Sequence, residues 1–185
     1  RQSSIANYGI RFNATKNKIT SNIIKFTTSA GIYILDANSS VSGNIIINSS
    51  AYGILANDSY GVNITSNYIT NTSFDGIYLK NTNDTILSGN NISISLRDCI
   101  MVSGINVNIS SNRLINCSYG INISNGIYYN ITSNIIANNS RDGINLFIVN
   151  ETIINNNNIS FNSSSIRKFY LPAFSRFLNF LHSCF

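Results

Sequence analysis

The stretch Gly31-Ile32-Tyr33-Ile34, followed by Val41-Ser42-Gly43-Asn44-Ile45-Ile46, is the unit that decides the fold. Its first half returns in further copies that begin with Gly, and in one copy Cys99 takes the place of that Gly. Its second half returns around an Asn, and both halves recur at steps of 21 to 23 residues. A period of this length is typical of a solenoid, in which each coil contacts only its neighbours.

Composition excludes several classes of protein. Only 10% of the 185 residues are charged, and the net charge of +5 is spread along the chain. A nucleic-acid-binding protein would cluster its Lys and Arg on one face, so we expect no nucleic acid partner. No run of about 18 apolar residues is present, so we expect no membrane span. The chain begins at Arg1, close to the first coil, and we expect it to be a segment of a longer protein.

Apolar residues alternate with polar ones at the period of a β-strand. Two inward columns in the first half of the unit begin with Ile10 and Phe12, and second and third strands lie on either side of the repeated Asn. Three short strands per coil predict an all-β parallel β-helix of about seven coils over residues 1–162.

The repeated Asn is expected to form a hydrogen-bonded ladder between coils. We place it at the bend between the second and third strands, because Asn tolerates the left-handed conformation. A second polar column, which includes Asn48 and Asn71, is expected to mark the next corner. The predicted ladder consists of Asn22, Asn44, Asn67, Asn90, Asn112, Asn134 and Asn157.

The three cysteines do not predict a cross-link or a metal site. Cys99, Cys117 and Cys184 contain no CxxC pair. Cys99 and Cys117 are expected on neighbouring coils but displaced along the strand, which does not suit disulfide geometry. Copper would need clustered Cys, Met or His, and the one His lies near the carboxyl end. We therefore expect no metal and no cofactor.

Residues 163–185 form a tail of different composition, which holds the only Pro and five of the ten Phe. Its apolar residues from Phe174 to Phe185 follow a helical stripe, and Ser163-Ser164-Ser165 is read as a hinge. We favour a cap that covers the open end of the last coil, because a bare strand edge invites aggregation. An appendage and a helix lying on a membrane surface are the alternatives.

The motif Gly-Ile-x-Leu followed by Ile-x-Gly-Asn-x-Ile resembles the right-handed β-helix repeat of NosD-like proteins. It also resembles the wider class of carbohydrate-binding and sugar-hydrolysing β-helix domains. The resemblance covers residues 1–162 and implies a right-handed coil in a cell-surface, extracellular or periplasmic protein that meets polysaccharide. The NosD name also carries copper delivery. Polygalacturonases of this class use paired Asp with His, and pectate lyases use acidic calcium clusters with Arg.

Those catalytic patterns are absent from the repeats, so no catalytic residue is carried over. Asp75 and Asp98 occupy the position before the repeated Gly in successive coils and should stack about 5 Å apart. That spacing raises the pKa of one carboxyl or holds a cation. The simpler interpretation is that Asp before Gly is a corner residue.

One face of the rod is richer in aromatic and charged residues than the others. Tyr offers a sugar an apolar ring and a hydroxyl at small entropy cost, whereas Tyr is also a good strand residue on any exposed sheet. The candidate carbohydrate-binding residues are Tyr8, Arg11, Tyr33, Tyr52, Asp75, Tyr78, Asp98 and Tyr119.

The sequence therefore favours a non-enzymatic surface scaffold or adhesin-like segment that binds polysaccharide along this face. The alternative is a polysaccharide-active enzyme with its catalytic coils at Asp75 and Asp98 or outside the chain. A copper-maturation accessory protein is the third hypothesis.

Overall fold

The structure is a computed structural model that describes residues 7–35 and 37–169. Within these ranges the chain forms 18 β-strands and no helix. All strand pairs are parallel and join residues about one repeat apart, as in the pairing of Ile10 with Ile32 and of Ile32 with Ile54. This is the parallel β-helix that the 21-to-23-residue period predicts.

The first three coils contain short, separate first and second strands. The first strands are β1 (Ile10–Phe12), β4 (Ile32–Ile34) and β7 (Ile54–Asn57). The second strands are β2 (Lys18–Thr20), β5 (Ser40–Ser42) and β8 (Asn63–Thr65).

From the fourth coil onward the first and second strands merge into one long strand. Left-handed residues such as Asn81 and Asp84 bend the chain inside this strand without ending it. With the six shorter strands and a last strand, β18 (Ser164–Phe169), the four long ones complete an 11-stranded sheet. The long strands are β10 (Ile77–Ser88), β12 (Ile100–Ser110), β14 (Ile121–Thr132) and β16 (Asp142–Asn155).

The third strand of each coil belongs to a separate seven-stranded sheet. Each of these strands begins at the residue directly after the ladder Asn. They are β3 (Ile23–Thr27), β6 (Ile45–Ser49), β9 (Tyr68–Thr72), β11 (Asn91–Ser95), β13 (Arg113–Ile115), β15 (Ile135–Ala137) and β17 (Asn158–Ser160).

The core is a column of aliphatic side chains between the two sheets. Ile32, Ile54 and Ile77 from the first strands are fully buried, and so are Ile46 and Ile69 from the third strands. Their alternation with exposed residues is the period-two pattern read in the sequence. Each coil therefore adds one layer to a continuous core.

The ladder Asn side chains lie inside the rod and bond from coil to coil. Asn90 is 1% exposed, and its Nδ2 donates to Asn112 Oδ1 at 3.0 Å and to the Ile64 carbonyl at 2.9 Å. Its Oδ1 accepts from the amide N–H and the Nδ2 of Asn67, both at 3.0 Å. Asn44, Asn67, Asn112 and Asn134 repeat this pattern.

The bend itself does not lie at the Asn, and this corrects the sequence prediction. The residue before each ladder Asn takes the left-handed conformation, with φ of 63° at Gly43, 56° at Ser66 and 66° at Gly89. The ladder Asn itself is not left-handed, and its side chain points into the rod. At the next corner, Asn48 and Asn71 are left-handed themselves, with φ of 59° and 57°.

Cys99 and Cys117 form a disulfide, with 5.5 Å between their Cα atoms, so the prediction that they stay apart was wrong. The two residues begin and end the same coil, and their side chains meet across its interior. A Cβ at the equivalent Gly76 would lie 2.3 Å from Ile92 Cγ2. In the disulfide-bonded coil, Leu114, which has no Cγ2, stands in the column that Ile92 occupies.

The sheet continues beyond the predicted end of the coils at residue 162. Strand β18 (Ser164–Phe169) pairs with β16, and Ile166 lies opposite Ile144 in the inward column. Ser163-Ser164-Ser165 therefore leads into an eighth layer of the sheet and is not a hinge. The predicted tail helix and its role as a cap lie in residues 170–185, outside the described part of the chain.

Candidate carbohydrate-binding face

Two neighbouring columns of the 11-stranded sheet build the candidate face. The outward column of the first strands pairs Arg11 with Tyr33 and later Tyr78 with Met101. The corner column lies just before the repeated Gly and contains Tyr8, Tyr52, Asp75, Asp98 and Tyr119. We use the name aromatic face for these two columns together with the corner residues that stand two positions before the repeated Gly.

Aromatic rings associate in pairs across the two columns. Tyr8 stacks on Tyr33 with 5.1 Å between ring centroids and 21° between planes. Tyr52 lies 5.4 Å from Tyr78 and 5.6 Å from Phe74. The four tyrosines are half-buried, and Phe74 is 43% exposed. The rings therefore form two apolar platforms along the rod, one at its amino-terminal end and one near its middle.

Arginine side chains lie over these rings. The Arg11 guanidinium is 5.7 Å from the Tyr8 centroid and 5.6 Å from that of Tyr33. Arg97 lies 5.9 Å from the Phe74 centroid, and Arg141 lies 5.3 Å from that of Tyr119. Arg141 also donates to the Tyr119 hydroxyl at 3.0 Å.

Asp75 and Asp98 stack in successive coils, as the repeat predicts, but both are buried beneath the face. Asp75 is 0% exposed and Asp98 is 3% exposed. The amide N–H of Asp98 donates to Asp75 Oδ1 at 3.0 Å, and Asn122 Nδ2 donates to Asp98 Oδ2 at 2.8 Å. Arg97 Nε lies 3.9 Å from Asp75 Oδ1. Neither carboxylate offers a surface to a polymer lying on the rod.

Burial changes the acidity of this cluster. Desolvation raises the pKa of Asp75 to about 6, and the Asp98 carboxylate adds to this rise, while the Asp98 amide and Arg97 oppose it. Desolvation likewise raises the pKa of Asp98. Desolvation, and then the Asp75 charge, raise the pKa of Tyr52 and Tyr78. Both phenols therefore stay protonated at neutral pH and can donate hydrogen bonds.

Asp75 Oδ2 has no hydrogen-bond partner among the described residues, although it is buried. Asp142 Oδ1, in the same corner column three coils along, is also without a partner there. Asp142 Oδ2 pairs with Arg167 Nε at 3.1 Å. No group of three or more His, Cys, Asp or Glu side chains within residues 7–35 and 37–169 is arranged to hold a metal ion.

Sequence reasoning missed Phe74, Arg97 and Arg141. All three stand two residues before the repeated Gly or its Cys99 replacement, in a column that also holds small and polar residues. The signal was available, since an aromatic and a basic residue occupy this position in successive coils. We expected the position before the Gly and the outward column of the first strands to carry the whole site, and the structure turns the acidic members of the first of these inward.

The family model for the right handed beta helix region matches residues 8–159. Among solved structures, the chain is similar to the crystal structure of the Dettilon tailspike protein (gp208), with a TM-score of 0.52 and 15% identity. The match covers 77% of this chain and 39% of the tailspike chain, so the chain spans well under half of that protein. At this identity the similarity concerns the fold alone. None of the curated proteins matches. Within the described ranges, no helix is long and apolar enough to cross a membrane.

Proposed function

Because the chain belongs to the right-handed β-helix family, we propose that it is a non-enzymatic, exported solenoid that binds polysaccharide along its aromatic face. The observation that carries this proposal is the aromatic cluster in which the Tyr52 ring lies 5.4 Å from the Tyr78 ring and 5.6 Å from the Phe74 ring. Partly exposed rings of this kind suit the apolar faces of sugar rings.

The chemistry of the face fits an extended ligand. Each ring platform supplies apolar area, and the protonated hydroxyls of Tyr52 and Tyr78 supply hydrogen-bond donors. Coils about 4.8 Å apart repeat these groups along the rod, so a polymer lying parallel to its axis meets several of them. Each contact is shallow, and affinity comes from their number.

The disulfide supports an extracellular, cell-surface or periplasmic location. Bonds such as Cys99–Cys117 persist in oxidising compartments and are rare where thioredoxin and glutathione keep thiols reduced. The right-handed β-helix fold is compatible with this location.

The test compares binding of the wild type with that of Tyr33→Ala/Tyr52→Ala/Tyr78→Ala by affinity electrophoresis against a panel of polysaccharides. We expect the triple variant to lose most of its retardation. The matched control is Tyr60→Ala/Tyr68→Ala, because these rings are 54% and 41% exposed and lie off the face. Binding that survives in the triple variant would place the site elsewhere, and a wild type that binds nothing would refute the proposal.

An enzyme acting on polysaccharide is the second candidate that the sequence offers, with Asp75 as its general acid. Burial raises the pKa of Asp75 to about 6 and leaves its Oδ2 without a partner among the described residues, but the carboxyl is 0% exposed, so this proposal ranks behind binding. The stacked Asp98 would be the second carboxylate of a hydrolase. Release of reducing ends by the wild type but not by Asp75→Asn would establish this activity.

The finer assignment of the chain to NosD-like proteins, and with it the hypothesis of copper delivery, rests on the repeat motif alone. Copper delivery would need soft ligands, and Cys99 and Cys117 are joined to each other. No observation on the described residues favours the copper hypothesis over polysaccharide binding.

A further inference from the structure

The arginines of the rod are concentrated on the aromatic face. Of the five arginines among the described residues, four lie over an aromatic ring of this face or its continuation: Arg11, Arg97, Arg141 and Arg167. Arg113 alone lies on the outer surface of the seven-stranded sheet. A ring beneath a guanidinium holds its plane. One nitrogen is engaged within the chain in Arg141, which donates to the Tyr119 hydroxyl, and in Arg167, which pairs with Asp142, and the other N–H groups of the fork can bind a ligand.

The acidic groups of the aromatic face are buried, and the exposed ones lie elsewhere on the rod. On the aromatic face, Asp75, Asp98 and Asp142 are all 3% exposed or less. The exposed carboxylates that the structure describes include Asp58 and Glu151. They lie beyond the carboxyl ends of the first-strand segments, whereas the corner of the aromatic face lies at the amino ends. A ligand on the aromatic face therefore meets guanidinium edges, while the compensating carboxylates lie behind them.

We propose that the ligand of this face is an anionic polysaccharide, with carboxylate or sulfate groups held by the stacked arginines. The proposal rests on the polysaccharide-binding function proposed above and names its ligand class. Guanidinium binds carboxylate and sulfate through paired N–H groups, which gives both energy and orientation. Arg97 and Arg141 are two coils apart, or roughly 10 Å along the rod. Acidic groups on alternate sugars of a chain can reach both.

The experiment measures binding of the full chain by calorimetry to three probes: polygalacturonate, heparin and dextran. We expect both anionic polymers to bind at least tenfold more tightly than dextran, and binding to weaken as NaCl rises from 50 to 200 mM. Arg97→Gln/Arg141→Gln should lose at least tenfold in affinity for the anionic polymers. Arg113→Gln/Lys25→Gln removes the same charge from the seven-stranded sheet and should bind like the wild type.

The outcomes separate this inference from the proposed function. Equal or tighter binding of dextran would overturn the anionic ligand class and leave polysaccharide binding standing. Equal losses in the two charge variants would also overturn it, because net charge and not the stacked arginines would then be responsible. Binding of no polymer would overturn both. Tighter binding of heparin than of polygalacturonate would identify sulfate as the group recognised, because heparin alone carries sulfate in addition to carboxylate.

A second inference rests on a different observation, the three replacements in one coil. Cys99, Leu114 and Cys117 all differ from the residues that the repeat has at their positions. The two cysteines form the disulfide, Leu114 stands in place of Ile, and one end of the bond lies next to the aromatic face. Arg97 and Asp98 directly precede Cys99. The amide of Ser118, which follows Cys117, donates to the Arg97 carbonyl at 2.6 Å.

We infer that the disulfide is a positioning device for the Arg97–Asp98 corner. Closing one coil covalently limits the movement of that corner against the next one, where the Cys99 amide donates to the Tyr119 carbonyl at 2.9 Å. The bond thus makes the geometry of the aromatic face depend on an oxidising environment. Like the ligand class, this role serves the proposed binding function.

The variant Cys99→Gly/Leu114→Ile/Cys117→Ser restores the repeat and gives a matched coil without the bond. We expect amide exchange at Arg97 and Asp98 to be at least tenfold faster in this variant and in reduced wild type, with unchanged exchange in distant coils. Polygalacturonate affinity should fall severalfold. Equal exchange at this corner in the variant and the oxidised wild type would overturn the inference, whether or not the polymer binds.

Discussion

Replacement of Asn90 by Ala tests the interior ladder that joins the coils. Asn90 makes four side-chain hydrogen bonds, two as donor and two as acceptor, and is 1% exposed. Its φ is not left-handed, because Gly89 takes the bend, so Ala adds no backbone strain. Truncation leaves the Asn67 amide N–H buried without its acceptor.

A buried donor without a partner costs about 1–3 kcal/mol, and each lost bond adds up to about 1 kcal/mol. We therefore expect Asn90→Ala to lower the free energy of unfolding by about 2–4 kcal/mol, measured by urea titration with circular dichroism. The control is Asn63→Ala, because Asn63 is exposed and makes no side-chain hydrogen bond, so it should cost less than about 0.5 kcal/mol. Equal losses in the two variants would refute the stabilising role of the ladder.

Three further predictions concern single sites and are checked by urea titration. Gly76→Ala should cost about 1–3 kcal/mol, because its Cβ would lie 2.3 Å from Ile92 Cγ2 and 2.7 Å from the Cys99 carbonyl oxygen. Gly76→Ala/Ile92→Leu should regain the part of the loss that Ile92 causes, and no regain would contradict a steric role of Ile92. Because the pKa of Asp75 is raised to about 6, the folded chain holds a proton that the unfolded chain releases. The free energy of unfolding should thus fall by up to ~3 kcal/mol as pH rises from about 4 to about 6, and Asp75→Asn should flatten this slope. Tyr129→Phe removes the hydroxyl that donates to the Gly104 carbonyl at 2.7 Å and accepts from the Gly104 amide at 3.1 Å. This change should lower the free energy of unfolding by about 1–2 kcal/mol, and an unchanged unfolding midpoint would mean that water replaces the hydroxyl.

The repeat predicted which residues face inward because a strand has period two and the columns align at every coil. The same pattern did not give the path of the chain through the corners. It therefore assigned the left-handed bend to Asn44 when Gly43 takes it. It also missed that Cys99 and Cys117 meet, because an alignment of repeats compares coils with one another and not the two ends of one coil.

The strand residues of the candidate face were predictable from the same period-two alternation, whereas its corner residues were not. Tyr33 and Tyr78 lie in a strand, where alternation fixes the outward direction. Asp75 and Asp98 lie in a corner, and the direction of a corner side chain depends on local dihedrals that the repeat does not encode. The stacks of Arg97 on Phe74 and of Arg141 on Tyr119 are contacts between adjacent coils, so they required the register of the folded rod.

An NMR titration shows whether polysaccharide binds on the aromatic face. The chain, labelled with ¹³C at Tyr rings and ¹⁵N at Arg side chains, is titrated with a uronic acid hexamer. We expect progressive shifts of the Tyr52 and Tyr78 ring signals and of the Arg97 Nε–H signal, with Tyr68 on the seven-stranded sheet unaffected. Shifts confined to Tyr68 and Arg113, or no shift at saturating hexamer, would contradict binding on this face.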